Sequence, residues 1–459
     1  MESDRALRGY ALLITTLSSF LTPFMSSALN VAVPAMSGEL RADPLASTWV
    51  VSVYLVAAAA LLLPSGRLAD LVGRKKVFVA GLLVYGVSSV LAMVATSVTA
   101  LIAFRAFQGI GGAMVFGTAV AILTSVYPPA ERGRVLGINT AATYAGLSLG
   151  PVLGGILTQQ FGWRSIFLFN AVLALVIVPV ILIRLRGEWA GAAGERFDWA
   201  GSALYSVALV VLMYGVSSIQ SVPYARWLAL AGVLGLGVFV WVEMRARQPV
   251  LDLRRFRGNI PFIFSNLAAL IHYSATFAIG YLLSRYLQEV QGISPRTAGL
   301  ILLAQPVVMA LFSPPAGGLS ERVEPRVLSS AGMALMVAGL LLLSFFQAGT
   351  SLAAVLGVQC LIGFGYALFS SPNTNAIMGS VAPRDYGVAS STLGTMRLIG
   401  QALSMAIVLL LFSIYVGRAE DSAGMIGPLL TTMKVGFRLF AGLAAVGTLA
   451  SLARGKVRE

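Results

Sequence analysis

The residues of this chain that could do chemistry are few, and they interrupt long apolar stretches at regular places. The run Gly66-Arg67-Leu68-Ala69-Asp70-Leu71-Val72-Gly73-Arg74-Lys75-Lys76 sets one carboxylate among four bases, with a glycine on either side of it. A carboxylate in such a turn can hold neighbouring helix ends in one conformation and release them in another. About 250 residues later, Pro315-Ala316-Gly317-Gly318-Leu319-Ser320-Glu321-Arg322 repeats the pattern of Pro64-Ser65-Gly66-Arg67-Leu68-Ala69-Asp70. A duplicated turn of this kind suits switching between conformations rather than bond making. Gly66, Asp70, Gly73, Arg74, Gly317, Glu321 and Arg322 are therefore the predicted gating residues.

Arg105 and Gln108 fall in the apolar run Leu101 to Gly112. At about 1.5 Å of rise per residue, Arg105 lies about 8 Å inside the outer membrane boundary. A guanidinium at that depth must face a bundle interior or a water-filled cavity. The same reasoning applies to Arg397, which is as deep in a later stretch. His272, the only histidine, falls near the middle of its span, where a proton relay, a substrate contact and a hydrogen-bonded packing role are all open. Gly146, Gly150 and Gly154 share one helix face, with Pro151 and Gly155 beside them, so a second helix can approach closely and a kink is expected. Gly146, Ser148 and Gly150 also fit the Gly-x-Ser-x-Gly pattern of hydrolases. The setting is a helix rather than a strand-to-helix elbow, and no carboxylate within the spans completes a triad, so no catalytic residue is assigned and the chain is not read as an enzyme. The single cysteine, Cys360, excludes an intrachain disulfide and a thiolate cluster; no metal site and no cofactor are expected.

With 459 residues, 58% hydrophobic content and 11% charged residues, the elements that position these groups belong in a bilayer. The mean hydropathy is +0.86. The formal net charge of +14 is spread over short loops, so it reports topology and not a nucleic-acid partner. Apolar stretches predict fourteen spans, the first an uncleaved helix from about Tyr10 to Val33 behind Arg5 and Arg8. The even-numbered gaps are basic: Arg67 to Lys76, Arg132 and Arg134, Arg184 to Arg196, Arg245 to Arg257, Arg322 and Arg326, and Arg384, with the tail at Arg454 to Arg458. The odd gaps near Arg41, Arg164, Arg226, Arg296 and Arg418 are poorer, with Lys434 and Arg438 the exception. Both termini are therefore predicted to be cytoplasmic in a multi-pass cell-membrane protein. Residues 1–186 and 258–459 are expected to form two six-helix bundles, with an inserted helix pair and its linkers at 187–257.

Together these motifs resemble the major facilitator superfamily, in particular its fourteen-helix drug:proton antiporter branch. The resemblance is carried by Gly66 to Lys76; by Arg105, Gln108, Gly109 and Gly111; by Gly146 to Gly155; by Asn30-Val31-Ala32-Val33-Pro34; and by Trp163-Arg164, Asn170 and Arg397-Leu398-Ile399-Gly400. It implies an all-α polytopic membrane protein with the major facilitator fold, two six-helix bundles plus an inserted hairpin. It also implies a secondary active exporter of lipophilic or amphipathic compounds, exchanging protons and working by alternating access. In the family's arrangement helices 1, 2, 4, 5, 9, 10, 12 and 13 line the cavity. The matching contacts for substrate or coupling are Asn30, Tyr54, Arg105, Gln108, Tyr144, His272, Gln359, Asn373, Asn375 and Arg397. One position departs: Met25 stands where the first-helix motif usually has an aspartate, and Glu289 is the acidic residue near the outer end of helix nine. The cavity charge is then mainly positive, which makes a facilitative or lipid and anionic-amphiphile transporter the alternative. The expected partners are a small amphipathic substrate, protons and membrane lipids, with the protein acting as a monomer.

Overall fold

The computed structural model describes residues 2–42, 44–218, 222–252, 254, 257–415 and 426–455. The loop residue Arg418 and the tail residues Lys456 and Arg458 lie outside them. Among the described residues, fourteen helices are long and apolar enough to cross a membrane: α1 (Arg5–Leu40), α2 (Trp49–Val72), α3 (Arg74–Met93), α4 (Val98–Val126), α5 (Pro129–Phe161), α6 (Arg164–Arg184), α7 (Trp199–Val216), α8 (Ala225–Glu243), α9 (Ile260–Val290), α10 (Pro295–Leu319), α11 (Pro325–Leu343), α12 (Leu352–Gly379), α13 (Pro383–Tyr415) and α14 (Ile426–Ala453). No strand occurs among the described residues.

Local chemistry explains where the helices begin. Ser97, Asp198, Asn259, Ser294 and Ser351 each accept a hydrogen bond from the backbone of the third helical residue, and prolines occupy the first turns of α5, α9, α10 and α11. The exposed faces carry Val87, Leu182, Ile183, Leu234 and Leu311, so the hydrophobic surface points outward as lipid requires. Serines and threonines line the interior and bond mostly to carbonyls of their own helices, as Ser89 does to Tyr85 at 2.7 Å and Thr124 to Val120 at 2.7 Å.

Helix pairing repeats with an offset of eight. In the first half the most extensive contacts are α1 with α5, α2 with α4, and α3 with α4 and α6. In the second half they are α9 with α13, α10 with α12, and α11 with α12 and α14. The halves meet through α5 against α10 and α2 against α13, partners that the same offset exchanges. Helices α7 and α8 pack on each other and reach the rest through α2 and α13.

Two interior prolines are stitched to neighbours. Pro151 cannot donate to the carbonyl of Leu147, and the Ser27 hydroxyl on α1 donates to that oxygen at 2.9 Å. Pro64 likewise leaves the carbonyl of Ala60 without its helical donor, and Ser206 on α7 supplies one at 2.7 Å. The small-residue face of α5 packs on α1: a Cβ at Gly146 would strike the backbone of Phe20, one at Gly150 would strike Ser27, and one at Gly154 would strike Ala28. Gly155 lies off that seam, in open space except for Val31.

Candidate functional site

The loops rich in lysine and arginine gather at one end of the helices, called here the basic end, and the duplicated turns lie there. Asp70 is fully buried. Its carboxylate accepts the backbone N–H groups of Gly387 and Val388, each at 2.9 Å, and so caps the start of the helix of the opposite half. Arg74 holds the same carboxylate at 2.7 and 2.9 Å and also donates to the Ser125 hydroxyl at 2.6 Å and to the carbonyl of Pro383. One ion pair therefore joins α2, α3, α4 and the start of α13. The helices can come this close because Gly66 faces Gly387; a Cβ on either would collide with the other's backbone carbonyl. Gly73 has φ 120°, a conformation side chains rarely adopt, and this lets the chain turn directly into α3.

The second turn makes the matching contact. Glu321 accepts the backbone N–H of Arg134 at 2.6 Å, and Gly317 faces Gly133 as Gly66 faces Gly387. Ser371 donates to the carbonyl of Gly133 at 3.4 Å. Arg322 is exposed on the turn. The hydrogen bonds that join the halves run from the middle of the helices to the basic end: besides these, Ser390 donates to Phe116 at 3.5 Å, and Tyr144 donates to Ser370 at 3.2 Å.

At mid-depth an aromatic cluster spans both halves. Tyr144 from α5 packs edge-on to Tyr366 from α12, with centroids 5.7 Å apart. His272 stacks on Phe369 at 4.0 Å and meets Tyr366 at 4.4 Å. The guanidinium of Arg397 lies over the Tyr273 ring at 5.0 Å and the Phe116 ring at 6.0 Å. Among the described residues its Nε has no hydrogen-bond partner, nor has Nε2 of His272. Tyr144, His272 and Arg397 are thus brought together. Tyr273, Tyr366, Phe369 and Phe116 join them, and sequence reasoning did not single these out; two tyrosines and two phenylalanines within the spans were the available signal.

The other candidate residues sit elsewhere. Arg105 is fully buried inside the first half, over the Tyr54 ring at 4.6 Å, with Nε donating to the carbonyl of Val50 at 3.1 Å. It also donates to Gln108, which passes a hydrogen bond to Ser89 at 2.6 Å. Asn30 is exposed on α1, and Met25 is buried among apolar side chains of the same helix and its neighbours. Gln359 donates at 3.2 Å to the carbonyl of Ile301, beside the break in α10 at Leu303. Asn375 donates to Ser320 at 3.0 Å at the second turn. Asn373 accepts from Arg454 at 3.0 Å. Arg454 itself, read from sequence as part of a basic tail, is fully buried and also bonds Ser265 and Ser451. Burial pulls its guanidinium down to about 10.

Ser148 donates to the carbonyl of Tyr144 at 2.8 Å, an ordinary helical back-bond that leaves it no role as a nucleophile. Among the described residues no group of histidine, cysteine and carboxylate side chains could hold a metal ion.

Comparison with known proteins gives a consistent result. The chain is 31% identical over 406 residues to the multidrug resistance protein Stp of Mycobacterium tuberculosis, covering 86% of this chain and 74% of that one. It is 33% identical over 414 residues to the cephamycin export protein CmcT of Amycolatopsis lactamdurans, covering 87% and 84%. With the riboflavin transporter RibZ of Clostridioides difficile it shares 27% identity over 395 residues, covering 86% of each. The structure of the human organic anion transporter MFSD10 superposes with a TM-score of 0.69 over 97% of this chain and 99% of that one, at 16% identity, a likeness of fold. The sequence profile of the Major Facilitator Superfamily matches residues 15–257 and 265–457, and the chain belongs to that family of membrane transporters.

Proposed function

We propose that this transporter is a secondary active exporter of lipophilic or amphipathic compounds in the cell membrane, with both termini and the basic end in the cytoplasm. In this reading residues 1–186 and 258–459 rock against each other, and residues 187–257 are the insert. The observation that carries it is the pair of offset latches, Asp70 on the start of α13 and Glu321 on the start of α5, which close the same end. A scaffold has no use for two such seams, whereas alternating access needs contacts that form at one end and break as the other end closes. The described state is then closed to the cytoplasm. The drug-resistance and export roles named for Stp and CmcT support outward transport.

Proton exchange is part of the proposal, with His272 as the titrating group at mid-depth. The acidic residues of the described spans sit near helix ends, Asp70, Glu131, Glu243 and Asp385 at the basic end and Glu39 and Glu289 at the other, with Glu321 just past the end of α10. Arg397 among tyrosines favours a second reading, facilitative carriage of neutral or anionic amphiphiles. Uptake of a panel of cationic, neutral and anionic amphiphiles into inverted vesicles, with and without a proton gradient, separates the two. Antiport requires that collapsing the gradient abolish accumulation. His272→Gln should then flatten the pH profile more than it changes apparent substrate affinity, and an unchanged profile removes His272 from the coupling step.

A further inference from the structure

The insert does more than occupy space beside the two bundles. The linker between α6 and α7 is laid over the first gating turn. Its Glu188 carboxylate accepts the backbone N–H groups of Lys75 at 2.9 Å and Lys76 at 3.2 Å, which caps the start of α3. The backbone of Arg74 donates to Trp189 at 3.0 Å, and that of Ala192 donates to the carbonyl of Asp70 at 2.9 Å. Glu195 pairs with the buried Arg67. The same linker reaches the other half at Gly191, where a Cβ would collide with the backbone of Arg384.

Helix α7 repeats this arrangement within the membrane. Ser206 and Tyr205 donate to adjacent carbonyls of α2, Ala60 at 2.7 Å and Ala59 at 3.2 Å, and Tyr214 stacks on Trp49 of α2 at 5.4 Å. The Tyr205 hydroxyl also shares a hydrogen bond of 2.9 Å with Thr395 on α13, deep inside the protein. A cleft lined by Arg67, Glu195, Arg247, Asp252, Asp385 and Val388 marks where linker, insert and both halves meet.

We propose that the linker and α7 form a strap that is anchored on the first half, reaches across to α13, and biases the transporter toward the state closed at the basic end. It rests on the alternating-access reading. The strap's ties to α2 and α3 lie within one half and survive a rocking motion, whereas the contacts Tyr205 to Thr395 and Gly191 to Arg384 span the halves and must break when α2 and α13 part. A neutral hydrogen bond lost from one state alone shifts a two-state equilibrium about 3- to 10-fold.

Distances measured by pulsed electron resonance test this. Spin labels are placed at Ala130→Cys on α5 and Val327→Cys on α11, both near the basic end, in a Cys360→Ala background reconstituted in nanodiscs. Thr395→Val and Tyr205→Phe, which keep shape and remove the cross-half hydrogen bond, should each raise the long-distance population about 3- to 10-fold relative to the short one. Ser206→Ala, which cuts α7 from α2 within one half, should leave that ratio unchanged. Equal shifts in all three variants would reduce the strap to general packing, and no shift in Thr395→Val and Tyr205→Phe would overturn it. A distance distribution that is single and fixed in every variant, including Asp70→Asn, would sink alternating access itself.

Discussion

The two duplicated turns share a pattern and differ in how much is built around them. Asp70 is fully buried, holds two amides of the opposite half, and is itself held by Arg74, which reaches on to Ser125 and Pro383. Glu321 is half-buried and accepts the amide of Arg134 across the halves. Among the described residues, the hydrogen bonds and ion pair that the linker makes to a turn fall on the first. Repeated helix pairing in the two halves is therefore joined by unequal contacts at the two turns. The lesson is that pseudo-symmetry settles where contacts fall, while burial settles how strongly each one holds.

That contrast can be broken most sharply at its stronger member. Asp70→Asn keeps the shape but removes the charge between Arg74 and the helix start, leaving a buried guanidinium without its counter-charge. Breaking a buried pair in this way costs about 3–5 kcal/mol. Transport should fall more than about 30-fold at normal protein level, with the basic end opened in the spin-label measurement. Near-normal flux would remove Asp70 from the switch.

Arg105 should come next, although it touches neither latch. Arg105→Ala leaves Gln108, Val50 and the Tyr54 face without their cation and is expected to abolish transport. Arg105→Lys should recover under about a tenth of it, because one ammonium cannot reproduce the several donors of a planar guanidinium. Full activity of the lysine variant in a vesicle flux assay would reduce Arg105 to a generic charge.

Sterics offer a matched pair that sharpens the comparison. Gly387→Val and Gly133→Val each place side-chain atoms where a backbone carbonyl of the opposite half lies. Both should keep the basic end from closing, and the distance measurement should show equal loss of the closed state, since the approach is equally tight in both seams. A strong effect at Gly387 alone would mean that the second seam is loose.

The smallest effects belong to the second turn. Glu321→Gln removes the charge but retains an acceptor for the Arg134 amide, so transport should drop about 2- to 5-fold, well short of the Asp70 variant. Arg322→Ala, exposed, should change flux less than about 2-fold. Equal losses at Asp70 and Glu321 would show that the two latches carry equal weight despite their unequal surroundings.

Much of this was legible along the chain. Spans could be counted because a bilayer demands some twenty apolar residues with every backbone group satisfied inside the helix. The turn around Asp70 and its echo at Glu321 stood out because charge and glycine are rare between such spans. The glycine face of α5 was readable from its four-residue spacing, though not that α1 covers it or that Ser27 satisfies the carbonyl freed by Pro151. Asn373, grouped with the cavity on sequence, accepts a hydrogen bond from Arg454, and no local pattern announces a pairing between residues so far apart.

What the sequence alone determined was periodic or compositional: the number of spans, the segregation of basic loops to one end, the duplicated turn, and the family motifs. These are properties of short windows, and hydrophobic burial acts on them before any tertiary contact forms. Which carboxylate caps which helix, which tyrosines surround Arg397, and that α7 bridges α2 and α13 were decided only by the tertiary structure. Each of these depends on two or three helices distant in sequence, brought together because lipid cannot satisfy a buried polar group and another helix can.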